Sequence, residues 1–206
     1  SAKAERFSKC VDVIESFLIR RFLCGHEPTG LHAVFKDMWK IAGADPVALR
    51  DALVQITTIT FPEDSAVTAA ISSRQMYRGS LTRYVLMEYE RDLASPTDPY
   101  ADDYEEDEAN KMHIDHIMPQ SADSSWRKSF PEFDKHMHTL PNLVIMSAAT
   151  NERKSDKTWA ETLQFLQNGS RVLSVNELLK IKEWNQEAMT NRMETLQKWA
   201  TNRWKR

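Results

Sequence analysis

The sequence predicts a mainly α-helical chain in which a helical scaffold surrounds a small ββα unit built on a two-stranded hairpin. Three observations predict it. Apolar residues recur at helical spacing through most of residues 1–97 and again from residue 158 onward. Two short apolar runs, Met112 to Ile114 and Leu143 to Met146, have the length of strands and lie between turn-forming residues. The acidic, proline-containing stretch SPTDPYADDYEEDEAN, from Ser95 to Asn110, separates the first helical block from the first run.

The first helix is expected over residues 4–24, with Phe7, Val11, Ile14, Phe17 and Leu18 on one face and Gly25 at the C-cap position. A second covers 31–42, with a stripe of Leu31, Val34, Phe35, Met38 and Trp39. Asp45 and Pro46 form an N-cap and N1 pair that opens a third, reaching about Ile56. Phe61-Pro62-Glu63-Asp64 opens a fourth, over roughly 63–75. A fifth spans 80–93, with Ser80 as its cap and Leu81, Tyr84, Val85 and Tyr89 apolar. Past the acidic stretch come the first strand, a loop holding Pro131 and Pro141, and the second strand. Ser147 is placed to cap a short helix from Ala148 to Lys154. Helices follow over Thr158–Leu166 and Val175–Trp204, the latter broken near Trp184-Asn185. Trp159, Trp184, Trp199 and Trp204 are read as core residues.

The 206 residues suit one domain or two small ones, and 41% apolar with 28% charged residues suits a soluble globular chain. No run approaches the roughly 20 apolar residues of a membrane span. Cys10 and Cys24 sit in an apolar helical stretch without metal-ligand spacing, which argues against a disulfide framework and a cysteine zinc site and for a reducing, cytoplasmic compartment. The chain begins with Ser, so we expect a piece of a longer protein. Net charge is −3, yet Asp98 to Ala109 alone holds seven acids and no base. Residues 110–206 hold fifteen basic against eleven acidic residues, a balance compatible with a phosphate-bearing partner. The acidic stretch reads as a solvated connection, with a DNA-mimicking or autoinhibitory strip as the sharper alternative. The five glycines are scattered, with no nucleotide-binding loop, so this segment is expected neither to bind nor to hydrolyse NTP.

The residues that carry chemistry are Asp115 and His116 at the end of the first strand, Asn142 before the second, and Asn151 and Lys154 on the following helix. Strand, loop, strand and helix in that order fold back into one compact unit that gathers them. Phosphodiester hydrolysis needs such a set. A histidine takes the proton of the attacking water near neutral pH. A divalent cation stabilises charge on the phosphate. Mg²⁺ asks for few protein groups, all hard oxygens, so one carboxylate and one amide suffice. A lysine adds positive charge toward the phosphate. His136 and His138 precede Asn142, but with His116 they match no recognised zinc spacing.

HIDHIMPQS, followed by LPNLVIMSAATNERKSDKTW, resembles the HNH (His-Me finger) endonucleases, including the HNH domain of guide-RNA effector nucleases. The wider chain is similar to the C-terminal domain of GmrSD-type modification-dependent restriction enzymes and of SspE phage-defence proteins. FLIRRFLCG, the FPED turn and the Trp- and Arg-containing final helices carry that wider likeness. The resemblance implies a ββα-metal nuclease unit and a bacterial, cytoplasmic anti-phage DNA endonuclease that nicks. His116 would be the general base, Asp115 and Asn151 the ligands of Mg²⁺ or Mn²⁺, and Asn142 the residue that holds the loop and orients the histidine. Lys154 and Lys157 would contact DNA phosphate, with His113 and Gln120 as possible neighbours of the site. Proline at 141 stands where the family usually has glycine.

On this reading residues 1–97 are scaffold, 98–110 an acidic linker, 111–158 the HNH core, and 159–206 C-terminal helices packing on the scaffold. The whole would be one integrated domain. The implied partners are double-stranded phage or invading DNA and an N-terminal NTPase domain that senses DNA modification, with no membrane. A decayed HNH-fold DNA-binding module and an HNH-type RNase toxin are the rival readings.

Overall fold

The computed structural model describes residues 2–94, 112–121, 124–147, 157–167 and 172–206. The acidic linker, the helix expected from Ala148 to Lys154, Asn151 and Lys154 lie outside the described residues. The described chain is mainly helical, with one two-stranded antiparallel hairpin. Helices α1 (Ala2–Leu23), α2 (Leu31–Ala42), α3 (Pro46–Gln55), α4 (Asp64–Ser73) and α5 (Thr82–Leu93) precede strand β1 (Met112–His116). Then come α6 (Ser124–Ser129), α7 (Phe133–His136), a 3₁₀ turn (Leu140–Asn142) and β2 (Leu143–Ser147). Helices α8 (Trp159–Gln167), α9 (Leu173–Leu178) and α10 (Gln186–Arg203) close the chain. Among the described residues no helix is long and apolar enough to cross a membrane.

The chain forms two compact units, residues 1–74 with 196–206, and residues 75–195. The first unit's core gathers Val13, Phe17, Val34, Met38, Leu49, Leu53 and Phe61. Phe17 meets Phe35 and Phe61 edge-on, with ring centres 6.1 and 5.3 Å apart. Gly25, at φ 76°, ends α1 in the left-handed conformation that lets His26 N donate to Arg21 O. Asp45 caps α3 by accepting from Val47 N and Ala48 N.

Two sequence expectations fail in this unit. Of the expected α1 stripe, Phe17 is buried and Ile14 and Leu18 pack against the core, but Phe7 and Val11 are 64% and 45% exposed, while Cys10, Val13, Ser16 and Arg20 are buried as well. The cause is Arg20, which is fully buried and donates to Pro62 O at 2.8 Å, to Trp204 O at 2.6 Å and to Asp64. A hydropathy stripe counts arginine as surface, so it misses the burial of Arg20. Trp39, at the margin of its stripe, is 68% exposed.

In the second unit β1 and β2 pair antiparallel, with His116 opposite Leu143 and Met112 opposite Ser147. Leu143, Val144, Ile145 and Met146 are all buried. Both faces of β2 are covered, which explains an unbroken apolar run where one open face would give alternation. Ile117, Trp126, Phe130, Val144, Trp159, Val175 and Trp184 share the core, and Trp159 packs on Trp184. Helix α5 is buried on nearly every side and includes Glu88 and Glu90. Ser80 does not cap it: Leu81 occupies the cap position with no side-chain bond, and Thr82 Oγ1 donates back to Met76 O. Thr158 and Glu161 bond each other's backbone N–H and so open α8. The expected break near Trp184-Asn185 is present, and Asn185 Oδ1 starts α10 by accepting from Ala188 N.

Candidate functional site

The site residues that the structure describes belong to the second unit. His116 ends β1 and is 2% exposed. Asn142, fully buried, lies just before β2. The strands bring the two together: Ile117 N, next to His116, donates to Asn142 O at 2.8 Å. The Asn142 side chain then ties two loops at once. Its Oδ1 accepts from Met118 N at 2.8 Å, while its Nδ2 donates to Met118 O at 3.1 Å and to Met137 O at 2.8 Å. The loop that leaves β1 and the loop that precedes the 3₁₀ turn thus hang on one amide.

Arg192 of α10, 6% exposed, supports that turn from behind. Its Nε donates to Pro141 O and its Nη2 to Leu143 O, each at 3.1 Å, so it grips the carbonyls on either side of Asn142. Burial pulls the Arg192 guanidinium down from its ordinary range, and Tyr89, Glu177 and Glu90 oppose that. The Tyr89 hydroxyl donates to Glu177 Oε2 at 2.8 Å, and burial first, then that bond, push its phenol well up. Pro141 fits because the first turn of a 3₁₀ helix leaves its N–H groups without internal partners, so the missing donor is not required.

The neighbours of His116 were not read from the sequence. Its Nε2 lies 2.9 Å from His138 Nδ1. Tyr77 packs on both rings, 4.2 Å centre to centre from His116 and stacked on His138 at 5.5 Å and 13°. In the sequence His138 stands out only beside His136 and His116, a set without zinc spacing, and Tyr77 and Arg192 carry no local signal.

Strand alternation sends His113 and Asp115 to one side of β1 and Ile114 and His116 to the other. Asp115 is half-buried, His113 exposed, and Gln120 exposed in the turn after the strand. Lys157 is half-buried, and its carbonyl accepts from Trp126 Nε1 at 3.2 Å. Among the described residues no three His, Cys, Asp or Glu side chains gather as a metal would need. The donor chemistry fits a hard cation better than zinc. Asp115 offers carboxylate oxygen, whereas facing nitrogens of His116 and His138 lie within hydrogen-bond distance of each other. Mg²⁺ or Mn²⁺ needs little more, since water and substrate oxygens complete its shell.

Comparison with known proteins gives two findings. A family model described as the C-terminal domain of GmrSD restriction endonucleases matches residues 61–199. No curated protein matches the chain.

Proposed function

The chain belongs to the family of GmrSD restriction endonuclease C-terminal domains, and from that premise we propose that it is a metal-dependent DNA endonuclease that nicks invading DNA in bacterial defence. The observation that carries the reading is the pairing of a buried His116 with an adjacent Asp115 at a strand end, held by Asn142, within the matched residues.

His116 takes the proton from the water that attacks phosphorus. Asp115 and Asn151 would be the protein ligands of Mg²⁺ or Mn²⁺. When bound, the cation neutralises charge on the scissile phosphate and the leaving oxygen. Asn142 acts as a positioning residue, since its amide is spent on backbone. Lys154 and Lys157 meet flanking phosphates, and His113 and Gln120 border the path of the DNA. The partners are double-stranded phage DNA and an N-terminal NTPase that senses DNA modification and licenses the cut. One such unit cuts one strand at a time, so nicking precedes any double-strand break.

The test uses supercoiled plasmid. Wild type should yield open circles with Mg²⁺ or Mn²⁺ and none with EDTA, and His116→Ala should yield none with either metal. No open circles from wild type, or unchanged nicking by His116→Ala, refutes the proposal. Faster cleavage of single-stranded RNA than of duplex DNA would move the chain to the ribonuclease reading.

A further inference from the structure

We infer that His138 is the positioning residue of the His116 base and that the Gln75–Tyr77 segment holds it in place. The inference rests on the reading of His116 as the base. His116 Nε2 and His138 Nδ1 face each other at 2.9 Å, a distance at which one of them donates and the other accepts. The direction of that bond decides what His116 can do. If His138 Nδ1–H donates, His116 accepts at Nε2 and carries its own proton on Nδ1, where it cannot take one from water. If His116 Nε2–H donates, its Nδ1 keeps the lone pair and is the basic atom. A base needs the second arrangement, in which His138 carries its proton on Nε2. A partner bond at one ring nitrogen fixes what the other nitrogen does.

His138 is itself built in from two directions. Along the backbone, Met76 N donates to His138 O at 2.7 Å, and Gln75 forms an isolated antiparallel bridge with Thr139. Gln75 Nε2 donates to Lys135 O at 2.7 Å, and Asn142 Nδ2 to Met137 O. Across the ring, Tyr77 stacks at 13° on His138 and tilts against His116. A 180° flip of either imidazole would put a ring carbon where the bonded nitrogen stands and break the contact, and the packed Tyr77 ring obstructs that rotation. Gln75, Tyr77 and His138 all lie outside the two motif segments, HIDHIMPQS and LPNLVIMSAATNERKSDKTW.

The expected signature is kinetic rather than structural. His138→Ala should lower kcat for nicking by roughly 10–100-fold while KM for DNA stays constant, as small misplacements of a reacting group do. His138→Asn, whose side-chain oxygen falls near the position of Nδ1, should recover part of that loss. A second readout needs no activity. In ¹⁵N-histidine-labelled protein at neutral pH, NMR should find His116 as one tautomer with the proton on Nε2, and His138→Ala should give a mixture. A wild-type chain that fails to nick but shows the fixed Nε2–H tautomer would sink the nuclease reading and leave this orientation standing. A wild-type Nδ1–H tautomer, an unchanged kcat in folded His138→Ala, or a change confined to KM would overturn the inference.

Discussion

Replacing Asn142 by alanine separates a residue that holds the site from one that reacts in it. The side chain is fully buried and makes three hydrogen bonds to backbone, one accepted and two donated. Alanine leaves Met118 N–H buried without its acceptor, a loss of about 1–3 kcal/mol. The carbonyls of Met118 and Met137 each lose a bond worth about 1 kcal/mol net. The sum is about 3–5 kcal/mol, and at roughly 2–4 °C per kcal/mol for a chain of this size the melting midpoint should fall by about 10 °C. Circular dichroism on heating measures it. Nicking, assayed well below both midpoints, should also fall, because the same amide fixes the loop after His116 and the loop before His138. Asn142→Asp should rescue neither, since its second oxygen would face two carbonyls. A midpoint lowered by less than about 3 °C would refute the reasoning and return Asn142 to a role in the chemistry itself.

Three further outcomes are expected. Glu90, 1% exposed on α5, accepts from Leu173 N at 2.8 Å and Ser174 N at 2.9 Å, the first turn of α9. Glu90→Gln turns one acceptor into a donor and should lower urea stability by about 1–3 kcal/mol; an unchanged midpoint would exclude that capping role. Arg20→Lys replaces a fork that reaches Pro62, Trp204 and Asp64 by one ammonium and should lower stability by about 3 kcal/mol, read by urea titration, with a loss below ~1 kcal/mol counting against it. Burial lowers the pKa of His136 and of His26 from the ordinary 6.5, Glu132 partly opposing at His136. The unfolded chain then takes up these protons first, so stability is full above about 6.5 and declines as pH falls through it. The midpoint of wild type should drop over that window, and His136→Gln should flatten the drop; a midpoint that rises there contradicts the assignment.

The elements that the sequence made legible are those with local punctuation. Asp45-Pro46 and Gly25 act on backbone within one turn, and each marks a helix end in the structure. The two strands were legible because LVIM is an apolar run too short for a helix. The inward face of α1 was not, because buried Arg20 is satisfied by carbonyls distant in sequence, and no periodicity reports that. Helices α6 and α7, of 6 and 4 residues, are too short for a stripe. At the site, motif spacing names His116 and Asn142, since both belong to one hairpin. It is silent on His138 and Tyr77, whose contacts form only when a segment ahead of α5 reaches across to the loop before β2.

The Gln75–Thr139 bridge has a practical consequence for protein engineering. The smallest transplantable module is not the continuous stretch that carries the motif. A graft of residues 111–158 into another host would import both imidazoles and leave behind the Gln75–Tyr77 segment that braces them. A chimera that also carries residues 75–93 would import that segment together with α5. Any modular shuffling of this domain, in the laboratory or in evolution, has to cut the chain upstream of Gln75.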